Sequence, residues 1–246
     1  MYTMVIFYYL DIEKRKTDLY TQLNPNVMFL LSRLLLLTLF PGFAQAQDLQ
    51  LIWEKRYGGA KDDQIVKIAE LTDARIVAIG TTYAEGNNDT DGWLVSLDPK
   101  TGELKEQRRF GGNKDDAFYD LCQTFDGGLL LAGQTNSKVE LGANDAWLIK
   151  LDHWGKLVWE KVYGSTGADV FKAIGILQNG KTILTGYRDD KKEADIWLTC
   201  VDEEGNAAWE KFYGHEEYAN VEGLLISTDN HILLYGATAK KSREGN

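Results

Sequence analysis

Residues 147–164 read WLIKLDHWGKLVWEKVYG, and the same phrase recurs along the chain. It joins an apolar run, Trp147 to Leu151, through an Asp-x-x-Gly turn to a second run that contains Trp159. Residues 197–214 repeat it as WLTCVDEEGNAAWEKFYG, and residues 93–111 repeat it in a weaker form. Short apolar runs separated by turn residues predict antiparallel strands, so each copy indicates a strand, a tight turn and an outer strand.

This segment lies inside a repeat of about fifty residues. Three sets of recurring residues show the same repeat spacing. These markers are the aromatic anchors Tyr57, Phe110, Tyr163 and Tyr213, the glycines Gly80, Gly133, Gly186 and Gly236, and the tryptophans Trp93, Trp147 and Trp197. The anchors and the glycines are both spaced 53, 53 and 50 residues, and the tryptophans are spaced 54 and 50 residues. This agreement predicts units that stack on one another.

Each unit also carries the signals of two inner strands. Matching apolar pairs mark the first strand, at Ile65 and Ile68, Phe118 and Leu121, Phe171 and Ile174, and Val221 and Leu224. Turns such as Asp126-Gly127 then predict type I′ hairpins, which need positive φ at both central residues. The next strand, such as Leu129 to Gly133, is continuously apolar and is expected to be buried on both faces.

Four antiparallel strands in about fifty residues are the content of one β-propeller blade. We therefore expect an all-β propeller of about four repeats in residues 47–246. The units fall at about 50–110, 111–163 and 164–213, with a partial unit at 214–238. The last unit lacks the third strand after Thr238, so the chain is either a fragment of a longer propeller, which we favour, or a four-bladed ring with a defective last blade.

The phrases Asp152-x-x-Gly155-x-x-x-Trp159 and Asp202-x-x-Gly205-x-x-x-Trp209 resemble the tryptophan-docking repeat of quinoprotein-type propellers. The whole unit is similar to the secreted propeller repeats of surface proteins from gliding and related bacteria. The resemblance covers about residues 50–238 and implies that each Trp packs between adjacent blades. The second repeat has Glu106 in place of Trp, so we expect one junction to pack differently.

The N-terminal region has the three parts of a secretory signal peptide at residues 28–46, with small side chains at Ala44 and Ala46 before the expected cleavage point. Residues 1–27 precede this complete signal, which predicts that they are a non-native upstream extension and that Met28 is the true start. The mature protein is expected to be exported to the periplasm, the cell surface or the extracellular space, with no membrane span after cleavage. The alternative is an uncleaved anchor.

The charge balance argues against two classes of partner. Lys and Arg total 27 against 37 Asp and Glu, giving a net charge of −10. This charge opposes binding to nucleic acid and to anionic lipid.

Cys122 and Cys200 lack metal-site spacing, so they are interpreted as packing residues, or as a long-range disulfide in an oxidising compartment.

Two groups of acidic residues suggest chemistry. The pairs Asp62-Asp63 and Asp115-Asp116, with Asp169 matching the second member, could act as acid and base on a sugar. Because they recur with the repeat, we favour turn contacts with backbone amides. Residues 87–98 partly match a calcium loop. Asp91 has counterparts at Asp145 and Asp195, which favours a hydrogen bond at the strand end.

The remaining residues offer no asymmetric catalytic set. His153, His215 and His231 occupy different places in their repeats, and no nucleophile or phosphate-binding motif is present. Quinoprotein dehydrogenases use adjacent cysteines at the cofactor, whereas Cys122 and Cys200 are 78 residues apart. We expect no catalytic, cofactor-binding or metal-binding residues, and the sequence leaves the ligand-binding residues open.

The favoured function is a binding or scaffold module that contacts a protein or a glycan at the propeller rim, without catalysis. Its variable loops are Tyr83 to Thr90 and Asn136 to Ala143. Trp154, in a turn, is a non-recurring aromatic suited to a binding test. The alternative is a fragment of a propeller enzyme, either a quinoprotein-like oxidoreductase or a glycan-active enzyme.

Overall fold

The computed structural model describes residues 5–11, 50–83, 88–138, 143–189, 194–213 and 217–240. Every regular element in these residues is a β-strand. Blade 1 contains β3 (Gln64–Glu70), β4 (Ile76–Tyr83), β5 (Thr90–Leu97) and β6 (Leu104–Phe110). Blade 2 contains β7 (Asp116–Gln123), β8 (Leu129–Thr135), β9 (Asp145–Leu151) and β10 (Leu157–Tyr163). Blade 3 contains β11 (Asp169–Ile176), β12 (Thr182–Asp189), β13 (Ala194–Val201) and β14 (Ala207–Tyr213).

Two further hairpins flank the three complete blades. Half-blade 4 contains β15 (Glu217–Ile226) and β16 (Ile232–Lys240), and the other pair contains β1 (Val5–Asp11) and β2 (Gln50–Tyr57). Within each blade the strands pair antiparallel in chain order. The predicted propeller fold is confirmed. It is open, because β2 and β16 belong to separate two-stranded sheets of the described chain.

The ends of the repeat region differ in detail from the prediction. β16 continues to Lys240, two residues beyond the expected end at Thr238. β1 lies in the segment expected to be an upstream extension and pairs with β2, Val5 opposite Tyr57. The signal-peptide residues 28–46 lie outside the described residues, so both N-terminal boundaries stay predictions.

The inner hairpin turns lie where predicted, but the predicted type I′ geometry is wrong. Thr124 N–H donates to the carbonyl of Gly128, and Gly127 N–H donates to the carbonyl of Thr124, at 2.9 Å each. This is a three-residue loop, a type I turn followed by one left-handed residue. Only that residue needs positive φ, which is why Ala74 can fill it at 64° as well as Gly127 at 80°.

The recurring glycines mark a close approach between the first two strands of each blade. Gly133 lies opposite a β-bulge in β7, where an added Cβ would come within 1.9 Å of the Ala117 carbonyl oxygen. Gly80, Gly186 and Gly236 meet the same obstacle at 1.8, 1.8 and 2.0 Å. No side chain fits at this position, which accounts for the glycine in every repeat.

The core lies between the blades. Trp93, Trp147 and Trp197 are at most 2% exposed, and Trp147 of blade 2 shares a core cluster with Val77 and Ile79 of blade 1. The residues from Leu129 to Gly133 are all buried, as their continuous apolar character predicted.

The two cysteines also pack in this interior. Both are free thiols, so the disulfide alternative is wrong. Burial raises the pKa of the Cys122 thiol and, to a smaller extent, that of Cys200. A raised pKa keeps each sulfur in its neutral, poorly nucleophilic form.

A polar link connects the innermost strands of three blades. Asp120 in β7 forms an ion pair with Lys67 in β3 at 3.0 Å. The other carboxylate oxygen of Asp120 accepts a hydrogen bond from the backbone N–H of Ile174 in β11 at 3.0 Å. One buried carboxylate thus fixes blade 2 against both of its neighbours.

Candidate functional site

Recurring tryptophans dock two of the outer strands, β2 and β10, on a turn of the following blade. The indole N–H of Trp53 in β2 donates to the Pro99 carbonyl at 2.9 Å, and that of Trp159 in β10 donates to the Glu203 carbonyl at 3.2 Å. Gly102, with a positive φ of 66°, lies so close to Trp53 that an added Cβ would approach the ring to 2.5 Å. The packing between blades that the resemblance implied is confirmed for Trp159, and Trp53 packs in the same way, whereas Trp209 at the same repeat position in β14 is 36% exposed.

The junction between blades 1 and 2 differs, as the missing tryptophan predicted. At Glu106 the indole is absent, and the Arg108 guanidinium instead donates a hydrogen bond to the Gly155 carbonyl. At the junction between blades 2 and 3 the equivalent contact is made by the Tyr163 hydroxyl, which donates to the Gly205 carbonyl at 2.6 Å. Charge thus replaces aromatic packing at one junction.

The recurring acids cap backbone amides, as we favoured. Asp63 and Asp116 accept hydrogen bonds from the N–H groups of Gly59 and Gly112, at 2.6 and 3.0 Å. Asp169 accepts from the Ser165 N–H in the same way. Burial raises the pKa of Asp169, against the lowering effect of its hydrogen bonds from Ser165 and Asp189. These carboxylates hold the turns between blades together.

The partial calcium loop gains no support. Asn87 lies outside the described residues, and no group of three or more His, Cys, Asp or Glu side chains in the described residues is placed to hold a metal ion. Asp91, the second residue of β5 in blade 1, is buried. Burial raises the pKa of Asp91, and the negative charge of the nearby Asp116 carboxylate is the next largest cause of this rise. The hydrogen bond that we expected for Asp91, Asp145 and Asp195 stays a prediction.

The other candidates of the sequence are spread over the surface. His153 and His231 are exposed, and His215 lies outside the described residues. The variable loops are described only in part, because residues 84–87 and 139–142 fall outside the described ranges. The structure therefore brings none of these histidines together with the paired acids in one described site.

Two exposed aromatic rings lie at one end of blade 2. Trp154, in the turn between β9 and β10, is 71% exposed, and Phe125, in the turn between β7 and β8, is 75% exposed. The turns are adjacent, since a Cβ added at Gly127 would lie 3.5 Å from the Cβ of His153. Large exposed aromatics of this kind are typical of binding surfaces. We name Phe125, His153 and Trp154 the aromatic turns.

Hydrogen bonds hold the aromatic turns in place. The Lys150 ammonium donates to Asp126 at 2.8 Å and also to Thr124, which fixes the turn that carries Phe125. Burial acts to raise the pKa of Asp126, but the hydrogen bonds from Lys150 and Thr124 outweigh it and hold that pKa at about 2. Arg75 of blade 1 donates to the His153 carbonyl at 2.9 Å. A rigid turn presents its ring at low entropic cost.

A groove runs beside the aromatic turns, between blades 2 and 3, and has a volume of about 460 Å³. Its apolar lining includes Phe125, Val158 and Trp159. Its charged lining is formed by one ammonium and four carboxylates, namely Lys150, Asp126, Asp202, Glu203 and Glu204. Since Lys150 pairs with Asp126, the groove keeps an excess of negative charge. We call this the blade 2–3 groove.

The equivalent cavity between blades 1 and 2 is nearly closed, at about 20 Å³. Glu106 and Arg108 line it and take the place of the docked tryptophan. The groove at the junction of blades 2 and 3 is therefore much larger than its equivalent at the junction of blades 1 and 2, although the repeat supplies a similar backbone at both.

Sequence reasoning found Trp154 but missed Phe125 and the groove. The residues that correspond to Phe125 in the other inner turns are Thr72, Gln178 and Thr228, so aligning the turns would have singled out this ring. The groove could not be found in that way. Its volume depends on how the side chains of two blades meet across the junction.

The chain resembles known proteins only in fold. No protein-family model matches it, and no curated protein matches it. A WD40 domain of Pan2 from Neurospora crassa matches with a TM-score of 0.48 and 12% identity, over 72% of this chain and 44% of that one. A Bacteroides caccae protein of unknown function matches with a TM-score of 0.41 and 12% identity, over 67% and 51% of the two chains. The chain thus spans about half the length of these solved chains.

No helix within the described ranges is long and apolar enough to cross a bilayer.

Proposed function

We propose that this protein is an exported β-propeller module that binds a protein or a glycan at its rim and has no catalytic activity of its own. The observation that carries the proposal is the aromatic turns. The recurring glycines, the buried tryptophans and the capping aspartates have structural tasks, whereas Phe125 and Trp154 are exposed and recur in none of the equivalent turns. Exposed aromatic rings on rigid turns are what a binding surface needs.

The blade 2–3 groove favours a protein segment over a glycan as the ligand. Its aromatic faces, Phe125 and Trp159, suit a cation through cation–π attraction. Glu203 and Glu204 add carboxylates that can accept charge-assisted hydrogen bonds from Arg or Lys. An extended peptide that carries a basic side chain beside an apolar one matches this chemistry.

Export is part of the proposal. The signal pattern at residues 28–46 supports secretion, with cleavage after Ala46. Expression of the full precursor in a bacterial host, followed by N-terminal sequencing of the exported fraction, tests this part. A mature chain that begins at Gln47 is expected. A chain that is retained in the cytoplasm with Met1 or Met28 at its start would contradict it.

Binding is tested with two immobilised panels. One panel holds peptides with and without Arg and Lys, and the other holds bacterial surface glycans. The double variant Phe125→Ser with Trp154→Ser is expected to lose at least about tenfold in affinity for every probe that the wild type binds, since such aromatic anchors are worth about 2 kcal/mol or more. Lys100→Ser, an exposed turn residue of blade 1, is the matched control and should bind as the wild type does.

A second double variant separates the two ligand classes. Glu203→Gln with Glu204→Gln is expected to weaken basic peptides, more so at low salt, because only charge is removed. Glycan binding that survives this variant but fails with the aromatic pair would favour a glycan as the ligand. Equal binding of all probes by the aromatic pair and the wild type would refute the proposed site.

A further inference from the structure

One position of the repeat keeps its backbone geometry but changes its side chain from blade to blade. In the first strand of each blade a β-bulge skips one residue beside the recurring glycine, and the skipped residues are Val66, Tyr119, Lys172 and Glu222. An apolar, an aromatic, a cationic and an anionic side chain thus share one structural position. A β-bulge redirects a side chain and is common beside functional sites, so this position is a candidate for binding.

The skipped residues of consecutive blades interact across the junctions. The Lys172 ammonium lies over the Tyr119 ring, 3.7 Å from its centroid, and so joins blade 3 to blade 2. Tyr187 of β12 lies close enough to Tyr119 for the two phenols to interact electrostatically, and Glu222 of half-blade 4 acts on Lys172 in the same way. These contacts join neighbouring blades, so they do not depend on how the ring closes. We call Tyr119, Lys172 and Tyr187 the inner cluster.

The polar atoms of the inner cluster lack acceptors. All three residues are half-buried, and within the described ranges neither the Lys172 ammonium nor the two tyrosine hydroxyls make a hydrogen bond or an ion pair. The Glu222 carboxylate accepts instead from the Asn220 side-chain amide at 2.7 Å.

The pKa shifts of the inner cluster have burial as their largest cause. Burial lowers the pKa of Lys172, against the raising effect of Glu222, and it raises the pKa of Tyr119 and of Tyr187. The three donors have therefore lost part of their hydration without gaining a protein acceptor. Such donors suit an anionic ligand, which can accept hydrogen bonds from all of them.

The charges around the inner cluster favour one class of anion. Asp169 lies close enough to Tyr187 to help raise its pKa, and Glu222 acts on Lys172. One positive charge therefore has two negative charges near it, which oppose a doubly charged anion such as phosphate. A carboxylate carries a single charge and has two oxygens, which can accept from an ammonium and from a hydroxyl at the same time.

We propose that the inner cluster is a second binding site of this protein and that it takes a carboxylate group. The Lys172 ammonium donates a charge-assisted hydrogen bond to the ligand, and the hydroxyls of Tyr119 and Tyr187 donate to the same carboxylate. None of the three residues lines the blade 2–3 groove or belongs to the aromatic turns, so the two sites are separate. A free organic acid and the C-terminus of a peptide both carry this chemistry.

Titration of the full chain with sodium benzoate, followed by amide chemical shifts, tests the site. Lys172→Met keeps the length of the side chain and removes its charge, so it should weaken benzoate binding at least about tenfold. Tyr187→Phe keeps the ring and should weaken it about threefold or more, with little change in melting temperature. Lys114→Met, at an exposed lysine of a turn, is the matched control and should bind as the wild type does.

Further ligands identify the source of the carboxylate and separate the two sites. A short peptide with a free C-terminus that binds, while its C-terminal amide does not, would support a peptide ligand, and binding of benzoate alone would support a free organic acid. The variant Phe125→Ser with Trp154→Ser should bind benzoate normally, so this site is tested independently of the aromatic turns. An absence of benzoate-induced shifts in the wild type, equal affinity in Lys172→Met, or tighter binding of inorganic phosphate than of benzoate would overturn the proposal.

Discussion

Replacing Tyr163 by Phe removes a single hydroxyl from the junction between blades 2 and 3. That hydroxyl donates to the Gly205 carbonyl at 2.6 Å, and the ring packs edge-on against Phe171 with centroids 5.3 Å apart. Phenylalanine keeps the ring contact and leaves the carbonyl without its donor. The substitution therefore isolates the hydrogen bond that docks one outer strand on the following blade.

The expected cost is about 1.5 kcal/mol, since a net hydrogen bond contributes about 1 kcal/mol and a partly buried carbonyl without a partner adds to the loss. For a chain of this size the melting temperature should fall by about 3–6 °C. Differential scanning calorimetry of the wild type and Tyr163→Phe measures this fall. Tyr213→Phe is the matched control: Tyr213 holds the same repeat position but is 46% exposed, so its loss should be small.

The pH dependence gives a second readout. Burial raises the pKa of Tyr163 above its ordinary value of 10.0, and the negative charge of Asp202 is a smaller cause of the same rise. A raised pKa in the folded state means that the stability from the neutral hydroxyl is present below pH 10 and is lost as the pH rises further. The melting temperatures of the wild type and Tyr163→Phe should therefore converge above pH 10. Equal effects of Tyr163→Phe and Tyr213→Phe, or a constant difference across this range, would refute the docking role.

Three further substitutions test the frame of the propeller. Gly133→Ala should destabilise by at least about 3 kcal/mol or prevent folding, because its Cβ meets a carbonyl oxygen, whereas Gly59→Ala, whose Cβ would meet only the Asp63 carboxylate at 3.9 Å, should change the urea midpoint little. Asp120→Ala should cost about 2–4 kcal/mol in urea unfolding, since it leaves a backbone N–H and an ammonium without their partner; an unchanged midpoint would contradict the three-blade link. Asp91→Asn should raise the melting temperature near neutral pH, because the pKa of Asp91 is raised and its ionisation above pH 3.8 opposes folding; a lower melting temperature would count against this view.

The repeat markers predicted most of the fold because each marks a position with one physical solution. Trp147 and its counterparts are buried between blades, and Gly133 and its counterparts lie where no Cβ fits. The turn type was harder to predict. Asp126-Gly127 is compatible with a two-residue and a three-residue loop, and the choice depends on the register of the two strands that it joins.

The candidate site was predicted only in part, for a related reason. Trp154 departs from the repeat visibly, because the aligned turns have no tryptophan there. The blade 2–3 groove arises from contacts between two repeats, and an alignment of repeats compares each unit with its equivalents and not with its neighbours. Glu106 carried the one hint, since it marked a junction at which the packing changes.

The docking contacts also impose an order in time on the chain as it is made. Trp53, Tyr57, Trp159 and Tyr163 each bind a backbone carbonyl that follows them by 46, 45, 44 and 42 residues. At ordinary rates of synthesis each ring waits about 2–9 s for its acceptor to emerge. The acceptors therefore become available one after another from the N-terminus, in the order in which the blades are synthesised. A pause in translation would leave only the newest outer strand without its acceptor.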